Sequence, residues 1–295
     1  MNPRDYPTGY SKEGSSEAGM HVSEADETSG MKHFLLMRWN LPAALHHSSL
    51  ARVTDLRWQV RRRELFRQYC LPSVARQTVP DFTWLFFVYP SIMSEAELRW
   101  FEAQDERLRI VPVDDPRSTG VREAREAVGR LVSRDDCVIT TRLDSDDILH
   151  PDHLRGVRVD FNGNRRVVEF IHGFYYDIMR DELRHVREPQ NAFVSVLEQA
   201  AGLRTAWGWG HHEIGRDNEI LYLEEPGWIA LVHDRNTTTY LWGDRVSARD
   251  KRAALREFGI SSPPYVRSRL RRLQVLGRRL ARRARTFLPR VTAPD

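Results

Sequence analysis

Residues Thr140 to Leu149 read TTRLDSDDIL, and this stretch decides the fold. It follows an apolar, β-branched run and places Asp144, Asp146 and Asp147 within four positions. Carboxylates this close repel one another and raise their pKa values unless a cation lies between them. Magnesium and manganese are held by one or two carboxylates plus substrate phosphates. The competing reading is a solvated loop whose aspartates begin the next helix. What surrounds the stretch separates the two.

Working backwards, Cys137–Leu143 reads as a strand, 120–133 as a helix and Leu108–Val113 as a strand. Before these come a helix over 94–104 and the continuous apolar run Trp84–Tyr89, a strand buried on both faces. Leu56–Arg76 has helical spacing at Leu56, Val60, Leu65, Phe66, Tyr69 and Val74, and Pro72 is expected to divide it. Residues 45–55 read as a loop and His33–Arg38 as the first strand. Strands alternating with helices predict a mostly parallel α/β sheet with right-handed crossovers. Ligands of such sheets lie at the carboxyl ends of the strands. DSDD sits at one such end, Arg38 and Asn40 at another, and Asp114 and Asp115 at a third.

The second half is less regular. Val167–Ile178 reads as one or two strands and Asn191–Ala201 as a short helix. TAWGWGHHEIG follows, and PGWIALVHDRNTT forms a last strand carrying His233.

Composition restricts the class. Of 295 residues, 41% are hydrophobic and 29% charged, as in a soluble globular protein with a full core. Cys70 and Cys137 provide neither a disulfide framework nor a CxxC site, which fits a reducing, cytoplasmic location. No run of about eighteen apolar residues is present to span a membrane, and the polar N-terminus has no signal-peptide h-region. The net charge of +4 conceals an asymmetry. Residues 1–30 are acidic, rich in Gly and Ser and without periodicity, and are expected to be disordered. Met20 and Met31 are candidate starts within or beside them. Residues 265–290 carry ten arginines and no acid. Within 265–288, Leu273, Leu276, Leu280, Ala284 and Phe287 recur at three- and four-residue spacing, giving a basic amphipathic helix suited to an anionic membrane surface. The expected organisation is 1–30 as a disordered segment, 31–262 as one catalytic domain and 263–295 as a basic tail.

Several stretches carry a family resemblance: LMRWN (36–40), ELFRQYCLPSVARQT (64–78), FTWLFFV (82–88), ITTRLDSDD (139–147), NAFVSVLE (191–198) and WIALVHDRN (228–236). From about residue 33 to 240 the chain resembles a GT-A glycosyltransferase, and more narrowly the bacterial rhamnosyltransferase family. The resemblance implies a GT-A-like, Rossmann-type sheet with a less regular acceptor half. It implies transfer of a sugar, rhamnose in the family's label, from a nucleotide-diphosphate donor to a glycan or lipid-linked acceptor, with inversion. It implies Mn2+ or Mg2+ as cofactor, held by Asp144, Asp146 and His233, with Asp144 facing the ribose or a metal-bound water. His233 is otherwise a core or surface histidine, and Asp147 is either a further ligand or a helix N-cap.

For the donor, Arg38, Asn40, Asp114, Arg142 and Asp144 are candidates, since arginine forks suit phosphate; Arg142 alternatively pairs with the aspartates. Trp39 stacks on the base or belongs to the core. The proton acceptor is sought among Glu213, His212 and Glu198. Trp207, Trp209 and His211 form the candidate acceptor site, or the Trp-Gly stretch is a packed turn. HHEIG lacks the HExxH spacing of a zinc protease. A phosphatase with a nucleophilic Asp-x-Asp would place it after the first strand, not the fourth. A non-enzymatic alternative is a peripheral membrane or polyanion binder acting through the arginine tail; no aromatics interleave its basic residues to read a nucleic acid.

Overall fold

The computed structural model describes residues 31–44, 50–210, 212–233 and 241–260. The acidic segment 1–30, the basic tail helix 265–288 and His211 lie outside the described residues.

The first half runs β1 (Met31–Arg38), α1 (Leu50–Val53), α2 (Leu56–Leu65), α3 (Leu71–Ala75), β2 (Thr83–Val88), α4 (Glu95–Glu102), β3 (Leu108–Pro112), α5 (Val121–Gly129) and β4 (Cys137–Asp144). The second half runs β5 (Ile148–Leu149), α6 (His153–Gly156), β6 (Arg166–Asp177), β7 (Glu182–Arg187), β8 (Ser195–Gln199), α7 (Ile214–Asp217), β9 (Ile220–Val232), β10 (Asp244–Arg245) and α8 (Ala248–Glu257). One sheet has the order β10-β7-β6-β8-β4-β1-β2-β3, with β9 pairing both β6 and β5. β4, β1, β2 and β3 are mutually parallel. The chain moves outward from β1 to β3 and then returns to the other side of β1 as β4. This reversal is a topological switch point, where a crevice opens between the carboxyl ends of two strands. The four parallel strands are the α/β arrangement that the sequence leads one to expect, and beyond β4 the strands β8, β6, β7 and β10 pair antiparallel.

The parallel strands are apolar on both faces because helices cover both. On one face Leu35, Met37, Trp84 and Phe86 pack with Phe66 of the α2–α3 segment and Phe101 of α4. On the other, Phe34, Leu36, Leu85 and Phe87 pack with Ala124 and Val128 of α5. Trp39 belongs to the first core, 3% exposed and edge-on to Phe101, and is not a base-stacking ring.

Four local expectations are corrected. The break in 56–76 falls before Pro72, where Phe66–Cys70 widens into a π-helical turn. That wider turn relieves the clash of the proline ring with the preceding turn. Leu56 and Val60 are exposed and Trp58 is buried instead, while Leu65 is buried as expected. Trp58, Arg62, Leu65 and Tyr69 form the stripe that faces inward. Residues 195–199 of the expected helix form strand β8 between β4 and β6. Ser195–Glu198 are all buried, so a strand covered on both faces shows no alternation to betray it. Leu50–Val53, within the expected loop, is a single helical turn.

Candidate active site

Arg38 and Asp144 stand opposite one another in register at the ends of β1 and β4. Two residues back on β4, Arg142 occupies the same face and lines a cleft with Arg38, Arg204 and Glu213. The cleft has a volume of about 670 Å³. A neighbouring cavity of about 440 Å³ is lined by Arg117, Arg122, Arg125 and Arg204. Together they form a strongly cationic surface. Burial, then the charge of Arg142, pushes Arg38 down to about 10, and Asp144 pulls it back. Arg142 is likewise lowered by burial and supported by Asp144. Arg38 donates from Nε to the Thr119 carbonyl at 2.8 Å, and its guanidinium lies 4.0 Å from the Trp207 ring centroid.

Beyond Asp144 the chain turns sharply, with the Asp147 amide donating to the Asp144 carbonyl at 3.1 Å. Ser145 is fully buried and accepts from Arg62 Nε at 2.7 Å. Asp146 accepts from His233 Nε2 at 2.9 Å. Burial works to raise the pKa of Asp146, yet the His233 hydrogen bond and the Arg62 charge prevail and hold it at about 2. Asp147 goes the other way: burial raises it, then the charges of Asp146 and Asp144. Its Oδ1 accepts from the Leu231 amide at 2.9 Å, and strand β5, not a helix, follows it. The N-cap reading of Asp147 is thereby removed. Among the described residues no three His, Cys, Asp or Glu side chains converge as a ready-made cation site. Asp146 Oδ2 and His233 Nε2 are an oxygen and a nitrogen donor already in contact. Both atoms are of types that could ligate a divalent ion, and a third ligand would have to come from outside these side chains.

The remaining predicted residues divide clearly. Glu213 is exposed, lines the cationic cleft and lies 3.5 Å from Arg216. His212 precedes it and is exposed. Asp114 is exposed on the loop after β3 and lines neither cavity. Asn40 is 1% exposed, and its amide pairs with the Tyr89 backbone at 2.7 and 3.2 Å, so it clamps the β1 end to the β2 end instead of facing a ligand.

Glu198 is 1% exposed. Its carboxylate accepts from Arg165 Nε, the Arg204 amide and the Thr205 amide at 2.9, 3.0 and 2.8 Å. It organises the turn that carries Arg204 and is withdrawn as a proton acceptor. Trp207 and Trp209 are 5% and 9% exposed. Trp207 packs edge-on against Phe87, and Arg204 covers the Trp209 ring at 4.0 Å. They are walls of the cleft and have no open face for a sugar. Gly120, which opens α5, has φ +83°, and a Cβ there would meet Leu41 at 2.9 Å and Trp207 at 3.2 Å. Only glycine fits this junction.

Sequence reading missed Arg204, which lines both cavities, because no motif surrounds it. It also missed Arg62, whose position on the inward stripe of α2 was the available signal.

No curated protein matches the sequence. Among solved structures, the chain is similar to S. aureus TarS 1–349 at 9% identity and a TM-score of 0.40, over 68% of this chain and 60% of that one. The same protein in complex with UDP aligns at 10% identity and a TM-score of 0.40, over 85% and 71%. Its complex with UDP-GlcNAc aligns at 10% and 0.40, over 84% and 71%. The chain thus spans less than two thirds of the first of these structures. Residues 32–245, well over half of the chain, match the sequence family described as "Putative rhamnosyl transferase". The chain belongs to that family of glycosyltransferases.

Proposed function

We propose that the protein is a metal-dependent glycosyltransferase that moves a sugar, rhamnose being the family's candidate, from a nucleotide-diphosphate donor to a glycan or lipid-linked acceptor with inversion. The observation that carries this reading is the Asp146–His233 pair two residues beyond Asp144, which stands in register with Arg38 of the arginine cleft at the β1/β4 switch point.

In this reading Arg38 and Arg142 receive the donor's diphosphate, and their burial strengthens each charge-assisted hydrogen bond. Asp146 and His233 would hold the metal, and Asp144 would face the ribose or a water on that metal. When bound, a divalent ion supplies a Lewis acid at the phosphates as the glycosidic bond breaks. Glu213, with His212 as the alternative, takes the acceptor hydroxyl's proton. Arg62 and Ser145 fix the DSDD turn so that these donors stay in place.

No helix among the described residues is long and apolar enough to cross a membrane. A peripheral position on an anionic membrane, through residues 265–288, completes the proposal.

The test is calorimetric titration of UDP, GDP and dTDP with and without manganese, on the wild type and on Asp146→Ala. Metal-dependent binding of one nucleotide that Asp146→Ala abolishes is the expected result. Absence of binding by all three overturns the reading.

A further inference from the structure

Trp242 is the one exposed tryptophan among the described residues, at 43%. A large ring in water calls for an explanation when six of the others are buried and Trp100 is partly so. Its backbone is firmly held. Gly243 has φ +93°, and a Cβ there would meet Val186 at 2.3 Å and the His185 carbonyl at 2.4 Å. Arg184 Nη1 donates to the Gly243 carbonyl at 3.0 Å, and Asp244 pairs with His185 across β10 and β7. The sheet therefore fixes this ring at the surface.

The Tyr175 ring lies beside it, 6.1 Å between centroids and tilted by 51°. The Tyr175 hydroxyl donates to Glu188 Oε2 at 2.7 Å. Glu188 is half-buried; burial raises its pKa, while Tyr175 and the nearby His212 lower it. An aromatic face is thus bordered by a phenol and a carboxylate.

The position of this patch is informative. Tyr175 is opposite Ala230 in the β6–β9 register. Three residues further on is His233, about 10 Å away at the rise of a strand. Asp147 lies near enough for its charge to act on Tyr175. The His212 charge reaches Glu188. Tyr175 thus stands one strand away from the β9 segment whose Leu231 amide binds Asp147. None of Trp242, Tyr175 and Glu188 lines the cationic cavities.

We infer that Trp242, Tyr175 and Glu188 form a subsite for a neutral pyranose ring of the acceptor. The inference rests on the glycosyltransferase reading and adds to it the acceptor's place and chemistry. A pyranose offers an apolar C–H face to stack on the indole, and equatorial hydroxyls for the phenol and carboxylate at its edge. The Glu188 carboxylate opposes a phosphate or uronate here, whereas the arginine cleft accepts the donor's anion. Trp242 replaces Trp207 and Trp209 as the stacking ring because it is exposed and they are buried.

The test uses the full chain with manganese and the nucleotide that binds it. Methyl α-L-rhamnopyranoside, methyl β-D-glucopyranoside and methyl β-D-glucuronide are titrated by saturation-transfer NMR and tryptophan fluorescence. Wild type is compared with Trp242→Ala, Trp242→Phe and Tyr175→Phe. The expected result is binding of a neutral glycoside, weakened about tenfold or more by Trp242→Ala and largely kept by Trp242→Phe. Nucleotide affinity, measured on the same samples, stays at the wild-type value and shows that the variants are folded. Equal glycoside binding by Trp242→Ala, preference for the glucuronide, or no glycoside binding while nucleotide still binds overturns the subsite. Loss of nucleotide binding in the wild type itself overturns the transferase reading, and with it the acceptor assignment.

Discussion

Asp146 Oδ2 and His233 Nε2 meet at 2.9 Å although 87 positions separate them. Two strands bring this about. β4 delivers the aspartates at its carboxyl end, and β9 runs past them, tied to Asp147 by the Leu231 amide. The imidazole arrives just after β9 ends. The hydrogen bond between them holds Asp146 ionised, the state in which a carboxylate binds a cation.

This pair gives the first prediction. Manganese is expected to raise the melting temperature further when a nucleotide diphosphate is present, by ligand linkage. Asp146→Ala removes that increment, and His233→Ala weakens metal affinity by about ten- to a hundredfold. Thermal shift measured against metal concentration reads both. An increment that survives in Asp146→Ala moves the metal site elsewhere.

The arginine cleft gives the second. Arg38→Ala or Arg142→Ala is expected to weaken nucleotide-diphosphate binding by about tenfold or more, the scale of a lost charge-assisted hydrogen bond. Each replacement also flattens the dependence of affinity on salt. Calorimetry at two ionic strengths checks this. An unchanged affinity in both variants assigns the diphosphate to another surface.

Glu213 and Glu198 are separated by the third. Glu213→Gln is expected to lower turnover about a hundredfold or more with donor affinity retained. Glu198→Gln changes a buried carboxylate that holds two amides and Arg165, so it is expected to lower stability by about 1–3 kcal/mol. Steady-state kinetics beside urea denaturation distinguishes the two. Full turnover by Glu213→Gln passes the role to His212.

Glu169 sets a pH dependence of stability. It is fully buried, and burial raises its pKa to about 7 against the hydrogen bonds from Asn191 and Gln190. A carboxyl raised in the folded state binds its proton more tightly there than in the unfolded chain. Its contribution is therefore complete below the unfolded value near 4.5 and declines as pH rises to about 7. The loss is roughly 3 kcal/mol, flat above that pH. Glu169→Gln is expected to abolish this slope and to be more stable than wild type at pH 8. Urea midpoints at pH 5 and pH 8 measure it, and parallel slopes in the two proteins refute it.

The arginine-rich tail gives the last prediction. Deleting residues 265–295 is expected to release the protein from anionic liposomes, since each arginine near such a surface contributes about 1 kcal/mol. Nucleotide binding by the truncated chain is expected to stay at the full-length level. Flotation assays decide it, and unchanged liposome binding would end the membrane proposal.

The sequence by itself determined the alternation of strands and helices from β1 to β4 and the placing of Arg38 and the aspartates at strand ends. These follow from local periodicity and from turn residues beside apolar runs, which act over a few positions. It did not determine that 195–199 is a strand, because β8 is covered on both faces and its hydrogen bonds come from β4 and β6. It singled out both Glu198 and Glu213 as carboxylates; only packing showed one locked beneath Arg165 and the other facing the cleft. It chose Trp207 and Trp209 as sugar platforms and passed over Trp242. A tryptophan is equally apolar in every sequence context, and whether its face meets a guanidinium or water depends on what the fold brings against it. Local chemistry is written along the chain, but the company each side chain keeps is set by contacts between residues far apart in it.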